Sequence, residues 1–265
     1  MTKQPNRYAQ LLGAIFKKHY KAGATEVLFE RTELADMAAK LGVVLPKNLG
    51  DILYSFRYRT ELPGCITRTA GVDMEWVIKP AGRGRYRLVL ASKVVFVPND
   101  QLAEVKIPEA TPGIIAKYAL SDEQALLAKV RYNRLIDIFT GLACYSLQNH
   151  LRTAVKELGQ VEIDEIYVGV DKRGVHYILP VQAKGGRDRV GIVQVEQDLR
   201  VCGTKFPQLV CRPIAAQFMA DDTIALMEFV QTSEGIRVAN ERHYRLVAPE
   251  EVTPEELAGY GARPE

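Results

Sequence analysis

The sequence has no apolar run long enough to cross a membrane. Although 47% of the 265 residues are hydrophobic, the longest apolar runs are stretches such as YRLVLA and KVVFV. A membrane-spanning helix needs about 20 apolar residues. The first ten residues, MTKQPNRYAQ, contain no apolar segment of the kind found in signal peptides. These absences predict a soluble cytoplasmic protein with no membrane partner.

Cysteine and histidine are scarce and scattered. The four cysteines, at positions 65, 144, 202 and 211, form no C-x-x-C pair, and the four histidines are not clustered. Disulfide frameworks and zinc sites use closely and regularly spaced ligands. The cysteines are therefore interpreted as ordinary buried or half-buried thiols, and a histidine-rich metal centre is not expected.

Charge is distributed unevenly along the chain. Residues 1–100 contain 16 Lys or Arg and 9 Asp or Glu, a net charge of +7, whereas residues 101–265 contain 19 and 23, a net charge of −4. A basic segment beside a mildly acidic one indicates two domains, the first of which binds a polyanion.

The basic segment shows the pattern of a winged helix-turn-helix. Apolar spacing predicts a helix over 8–20, and a short strand follows at TEVLF. A second helix is expected between its N-cap, Thr32, and its stop signal, Gly42, and a third over 48–59. Two strand-like runs, MEWVIKP and RYRLVLA, are then joined by AGRG. In this arrangement the second helix of the pair enters the major groove and the hairpin forms the wing. The chain is therefore divided into a DNA-binding domain at 1–95, a linker at 96–120, a second domain at 121–250 and a tail at 251–265.

Basic and polar side chains are expected on both DNA-facing elements of the first domain. A solvated helix face or a protein-interaction domain would explain single members of the set equally well, so the hypothesis concerns the set as a whole. The candidates are Lys47, Asn48, Tyr54, Arg57, Arg59, Arg83 and Arg85.

The rest of the chain predicts an α+β or α/β fold with a mixed sheet. The linker contains three prolines and is expected to have little regular structure. A long helical region follows over 122–139 and is predicted to continue after Gly141 through ACYSLQNHLRTAVKEL. A hairpin, a helix near 191–200 and three strand-like runs come next, and the acidic tail is expected to be loose.

The predicted hairpin VEIDEIYVGVDKRGVHYILPVQAKGG carries polar residues where a buried sheet would be apolar. Strand side chains alternate between the two faces. If the faces of the two strands coincide across the turn, Asp164, Gln182 and Lys184 converge at one end of the hairpin. A carboxylate and a second oxygen can hold a hard divalent cation such as Mg²⁺, and an ammonium group can orient a water molecule.

These residues resemble the motif of the PD-(D/E)xK nuclease superfamily, with EID ending at Asp164 as the first element and QAK as the second. The resemblance covers about 121–231 and implies a restriction-endonuclease-like domain that hydrolyses duplex DNA at specific or modified sites. It implies that Asp164, Gln182 and the Ala183 carbonyl hold Mg²⁺ or Mn²⁺, and that Lys184 positions the attacking water. Cutting both strands of a palindromic site favours a homodimer.

The sequence departs from the motif at two positions. Ile163 stands where a proline is usual, and Gln182 stands where the motif usually has a carboxylate, which removes one negative charge from the metal site. Glu162, on the same strand face as Asp164, is an auxiliary ligand candidate. Gln148 and Gln194, on the helices predicted before and after the hairpin, are the others.

Two other functions fit the same pattern. The glutamine would suit a non-catalytic DNA-binding regulator whose nuclease-like domain has become a dimerisation or effector module. A structure-selective repair nuclease, which cuts branched or flapped DNA, would share the same site. A surface hairpin with a charged solvent face would also match the short motif by chance.

Overall fold

The computed structural model describes residues 7–58, 60–72, 74–92, 95–118, 123–156, 158–185, 188–219, 222–233 and 235–262. The chain divides into two compact units. The first unit comprises Met1–Val95, Thr153–Val161 and Gly191–Val193, and the second comprises Phe96–Arg152, Glu162–Val190 and Gln194–Glu265.

The first unit contains helices and a three-stranded antiparallel sheet of order β1-β3-β2. Its predicted helices, short strand and hairpin are confirmed. Gly82 and Gly84, at φ 114° and 72°, provide the turn between β2 and β3. The elements are α1 (Arg7–His19), β1 (Glu26–Glu30), α2 (Thr32–Leu41), α3 (Gly50–Tyr58), α4 (Gly64–Thr67), β2 (Glu75–Pro80) and β3 (Arg85–Ala91).

Apolar side chains of α1 and the sheet form the core of the first unit. Leu12 and Phe16 lie one turn apart on α1 and are buried. The Phe16 ring meets the edge of Trp76 on β2 with 5.3 Å between ring centroids. Trp76 Nε1 donates a hydrogen bond of 2.9 Å to Thr69 Oγ1, which satisfies its polar atom inside the core.

The second unit is built on an eight-stranded mixed sheet of order β5-β13-β12-β11-β8-β7-β6, with β10 beside β8. This finding confirms a mixed α+β fold with a multi-strand sheet. Its elements, of which β6, β7 and α8 include residues of the first unit, begin with β4 (Val95–Phe96), β5 (Glu104–Pro108), α5 (Gly113–Tyr118), α6 (Glu123–Tyr132), α7 (Leu135–Thr140), β6 (Ala143–Val155), β7 (Gly159–Val170) and β8 (His176–Lys184). They continue with β9 (Val190–Gly191), α8 (Ile192–Lys205), β10 (Val210–Cys211), β11 (Ile214–Phe218), β12 (Thr223–Thr232), β13 (Gly235–Val247), a 3₁₀ turn (Pro249–Glu251) and α9 (Pro254–Gly261).

The parallel pairing of β8 with β11 explains why helix α8 lies between them in the chain. β8 and β11 are parallel neighbours, so the chain must cross from one end of the sheet to the other between them. α8 makes this connection, and it corresponds to the helix predicted near 191–200. On one face of β7 and β8, Tyr167, Leu179 and Val181 pack in a buried cluster that includes residues of α6 and α7, such as Leu126 and Phe139.

The helix predicted before the hairpin is wrong, because Ala143–Val155 is strand β6. Leu147, Leu151 and Val155 are spaced four residues apart, which is typical of a helix face. Pairing with β7, however, provides hydrogen-bond partners for the side of this backbone segment that faces the sheet. Gly159, at φ 80°, lies at the first residue of β7. Gln148 therefore lies on an edge strand and not on a helix.

The expectation of little regular structure in 96–120 is also wrong. β5 pairs with β13 in parallel at the edge of the sheet, and α5 follows it. Pro108 is the last residue of β5 and Pro112 directly precedes α5. Prolines are tolerated at both kinds of position, so they end or begin these elements and do not prevent them.

The tail is not loose over its described part, where it forms α9. Thr253 Oγ1 accepts a hydrogen bond from Glu256 N (3.2 Å), and the Glu256 side chain accepts one from Thr253 N (3.0 Å). This reciprocal pair is a capping box, which stabilises a helix start. Glu256 also lies 2.8 Å from Lys106 Nζ on β5.

The described residues include no helix with the length and apolarity that a membrane span requires.

Candidate active site

The β7–β8 hairpin brings the predicted faces together. Ile166 lies opposite Pro180 and Val168 opposite Ile178. Residues paired directly across an antiparallel ladder share a face, so the even-numbered side chains of both strands lie on one side of the sheet. The predicted turn is confirmed. In it, Asp171 Oδ1 accepts hydrogen bonds from the two backbone N–H groups of residues 173 and 175, at 2.8 and 2.9 Å.

Asp164 lies in contact with the end of β8. Its Oδ2 accepts a hydrogen bond from Ala183 N at 2.8 Å and lies 4.0 Å from Lys184 Nζ. Burial raises the pKa of Asp164, and the charge of Lys184 and the hydrogen bond from Ala183 act against that rise. The side chain remains 16% exposed, so a ligand can reach it.

Lys184 is the last residue of β8 and its ammonium group joins two elements. Nζ donates to the Ala183 carbonyl at 2.9 Å and to Glu123 Oε1 at 3.3 Å. Glu123 is in the first turn of α6, and its side chain is 41% exposed. The sequence offered no local signal for this contact, because the two residues are 61 positions apart.

The side chain of Gln182 is hydrogen-bonded to a buried acidic residue. Its Nε2 donates to Asp198 Oδ1 and Oδ2 at 3.0 and 3.2 Å. Asp198 lies on α8 and is 1% exposed, and this burial raises its pKa well above the ordinary value. Sequence reasoning missed Asp198. Helical spacing could have indicated it, because Asp198 lies three or four residues from Val195, Val201 and Cys202 and so shares the apolar side of the helix. All three of these residues are buried.

The three auxiliary candidates lie on β7, β6 and α8. The Glu162 carboxylate lies 3.4 Å from His150 Nδ1 and 3.2 Å from Arg152 Nη2. Gln148 is exposed on β6, and Gln194 is half-buried one turn before Asp198 on α8. The structure therefore brings together Asp164, Gln182, Ala183 and Lys184, and adds Glu123 and Asp198.

The oxygen atoms of Asp164, Gln182 and the Ala183 carbonyl are of the types that bind a hard divalent cation. Asp164 Oδ1 and Gln182 Oε1 accept no hydrogen bond from the described residues, and both belong to the same sheet face. The Ala183 carbonyl has a second lone pair besides the one used by Lys184. Carboxylate, amide and carbonyl oxygens are the ligands that Mg²⁺ and Ca²⁺ take in proteins. Within the part of the chain that the structure describes, no three His, Cys, Asp or Glu side chains are grouped as a metal site.

The predicted DNA-binding residues lie on two elements of the first unit and beside them. Lys47 and Asn48 precede α3 and are exposed, and Tyr54 on α3 is 49% exposed. Asn48 also has a structural role, because its Oδ1 accepts a hydrogen bond from Gly50 N at 3.0 Å. Arg57 is half-buried on α3. Arg59 lies outside the described residues.

The other two arginines lie at the β2–β3 turn. Arg83 is exposed in the turn and Arg85 is exposed at the first position of β3. Arg85 lies opposite Glu30 on β1, and two residues further along, Arg87 lies 3.4 Å from Glu26. The outer sheet face of the first unit therefore carries both signs of charge.

Comparisons with protein-family models, with curated proteins and with solved structures gave no match.

Proposed function

We propose that the protein is a divalent-metal-dependent endonuclease of the restriction type that hydrolyses phosphodiester bonds of duplex DNA. The observation that carries this proposal is the convergence of Asp164, Gln182 and Lys184 at one end of the β7–β8 hairpin. Asp164 Oδ2 is 2.8 Å from Ala183 N and 4.0 Å from Lys184 Nζ. A structural hairpin has no need of a partly buried carboxylate with a raised pKa beside a lysine, whereas perturbed groups of this kind cluster at functional sites.

The reaction consumes one water molecule. Its oxygen forms a bond to phosphorus as the bond to the leaving sugar oxygen breaks. One water proton ends on the leaving oxygen, and the other is released from the new phosphomonoester. Lys184 would hold the water by hydrogen bonding and offset the negative charge that grows on the phosphoryl oxygens.

Asp164, Gln182 and the Ala183 carbonyl would hold Mg²⁺ or Mn²⁺. The bound cation would supply Lewis-acid stabilisation of the phosphoryl group. Asp198 keeps the Gln182 amide in one orientation, with Nε2 toward the acid and Oε1 left for the site. Glu123 would hold the Lys184 ammonium group in place.

The first unit would read the DNA as a winged helix, with α3 in the major groove and the β2–β3 hairpin as the wing. The net charge of +7 over residues 1–100 supports this assignment. Two copies of the chain would be needed to cut both strands of a palindromic site, which supports a homodimer.

One observation favours a non-catalytic DNA-binding regulator as the second candidate. Gln182 uses its amide to bind the buried Asp198, so the motif pair has Asp164 as its one carboxylate. A domain that has lost catalysis would keep this hydrogen-bonded pair and lose its affinity for metal ions.

The test is a cleavage assay on supercoiled plasmid with Mg²⁺, with Mn²⁺ and with a chelator. We expect nicked and linear products in the presence of the metals, and intact plasmid with the chelator. Lys184→Met should lose this activity, whereas Lys172→Met, an exposed lysine in the turn of the same hairpin, should keep it. DNA that is bound but stays intact with both metals would favour the regulator, and preferential cutting of flapped duplexes would indicate a repair nuclease.

A further inference from the structure

Gln217 is a buried glutamine beside the candidate site that neither the motif nor the mechanism uses. It lies on β11 directly across the parallel ladder from Lys184. Partners in a ladder share a sheet face, so its side chain lies on the same face as Gln182 and Lys184. Only 1% of Gln217 is exposed.

The Gln217 amide has one satisfied end and one unsatisfied end. Nε2 donates a hydrogen bond of 3.0 Å to the Asp188 carbonyl, which fixes the orientation of the amide. Oε1 is buried and accepts no hydrogen bond from the described residues. Buried polar atoms are nearly always bonded, so an orphan acceptor in this place requires a donor that the described residues do not supply.

The chemistry of the surroundings selects that donor. The backbone of DNA presents acceptor oxygens at its phosphates, so it cannot donate to Oε1. Water can donate to the amide oxygen and at the same time accept from an ammonium group.

The ladder positions of the two residues are compatible with one bridging water. Gln217 and Lys184 are direct partners on neighbouring strands, whose backbones lie about 4.8 Å apart. A water that makes two hydrogen bonds of about 2.8 Å joins atoms up to about 5.6 Å apart. Lys184 Nζ has three protons, and two of them are directed to the Ala183 carbonyl and to Glu123. The third is available to the water.

We propose that Gln217 Oε1 and Lys184 Nζ bind one water molecule, and that this water is the nucleophile of the hydrolysis. The second half of this statement rests on the proposed function. Gln217 is a positioning residue: it accepts one proton of the water in a hydrogen bond and so directs a lone pair of the water oxygen away from the sheet.

The experiment compares the full-length protein with Gln217→Met, Gln217→Glu and a control, Gln231→Met, which changes an exposed glutamine on β12. We expect Gln217→Met to slow single-turnover cleavage by about tenfold or more, with DNA affinity unchanged. Its Tm should fall slightly, because methionine also removes the hydrogen bond from Nε2 to the Asp188 carbonyl. Gln217→Glu loses the same hydrogen bond but retains an acceptor, so it should recover most of the rate.

Two results of this comparison would overturn the proposal. Full cleavage by Gln217→Met is one, and a rate that falls together with Tm and is not recovered by Gln217→Glu is the other, since packing would then explain the loss. A crystal structure of the unmodified protein gives an independent test. It should show a water within hydrogen-bond distance of both atoms, and a dry Oε1 would also overturn the proposal. An ordered water in a protein that cuts no DNA would support the water site and reject the proposed function.

Discussion

The two units bury different kinds of side chain. All the buried polar residues in the described part of the chain lie in the second unit, and they are Asn133, Glu165, Gln182, Gln197, Asp198, Gln217, Thr223 and His243. The first unit keeps its charged groups near the surface, as in the contacts of Glu33 with Lys18 and His19, both at 2.7 Å. Burial of polar groups costs free energy, and functional sites are the usual place for that cost. The contrast agrees with the proposal that chemistry belongs to the second unit and recognition to the surface of the first.

Two carboxylic acids show the same contrast in their pKa values. Burial acts to raise the pKa of Glu33, but hydrogen bonds from Lys18, from the backbone N–H of Glu30 and from His19 lower it to about 2. Asp198 receives a hydrogen bond from the neutral amide of Gln182, and burial raises its pKa well above the ordinary value. The ionised carboxylate is therefore stabilised at Glu33 in the first unit and disfavoured at Asp198 in the second.

The largest expected effect is that of Asp164→Ala, which should abolish DNA cleavage because no other carboxylate belongs to the motif pair. Folding and DNA binding should stay largely intact. Plasmid cleavage, Tm and a DNA-binding isotherm measure the three properties, with Glu255→Ala, an exposed acid on α9, as the control. Undiminished cutting by Asp164→Ala would remove the active site from the second unit.

The Gln182–Asp198 pair provides the next prediction. Gln182→Glu alone would place a second carboxylate at about the 3.0 Å distance at which Nε2 now contacts Asp198. We expect it to lower stability by about 1–3 kcal/mol and to reduce cleavage. Adding Asp198→Asn restores a donor–acceptor pair, so the double variant should regain stability and need less Mg²⁺ for half-maximal cutting. Chemical denaturation and a Mg²⁺ titration test this, and an unimpaired Gln182→Glu would show that the pair does not constrain the site.

Asp198→Asn by itself should change how stability depends on pH. A carboxyl whose folded pKa is raised destabilises the fold as pH rises above its ordinary value of 3.8, and the full penalty applies above the folded pKa. At neutral pH the variant should therefore have a free energy of unfolding that is higher by on the order of 1–3 kcal/mol, which raises its Tm. In acid it should have no advantage. Asp36→Asn, at an exposed position on α2, is the matched control. An equal Tm at neutral pH would contradict the assigned cost.

Removing Arg83 or Arg85 should weaken DNA binding moderately and leave the metal chemistry unchanged. Each replacement by alanine should reduce the salt dependence of binding by about one phosphate contact. Fluorescence anisotropy at several salt concentrations measures this slope, and Arg237→Ala, an exposed arginine of the second unit, serves for comparison. If Arg237→Ala has the larger effect, recognition belongs to the second unit.

Glu33→Gln should have the smallest effect, a loss of stability below about 1 kcal/mol. Because the folded pKa of Glu33 is lowered, its contribution is present above the ordinary carboxyl value of 4.5 and is lost as pH falls toward 2. Thermal unfolding at neutral and acidic pH should therefore show a difference that shrinks in acid. A difference that grows in acid, as expected for a raised pKa, would erase the contrast with Asp198.

Local patterns along the chain predicted much of this molecule. The apolar spacing of Leu12 and Phe16 predicts α1 because it repeats over one helical turn, and alternation along β7 and β8 predicts that Asp164, Gln182 and Lys184 share a face. Both inferences need only backbone periodicity and a tight turn, which short stretches of sequence encode. The capping box at Thr253 and Glu256 is equally local, and it was available as a signal for α9.

Long-range pairing decided the rest. Residues 143–155 have helical spacing, yet pairing with β7 makes them a strand, since tertiary hydrogen bonds outweigh a weak local preference. Glu123 reaches Lys184 across 61 positions, and Gln217 meets the same lysine because α8 returns the chain to a parallel strand. The sequence by itself determined which groups line one face of the hairpin. Only the tertiary structure decided which groups from other elements contact them, because such contacts depend on strand order and helix packing, which no local pattern specifies.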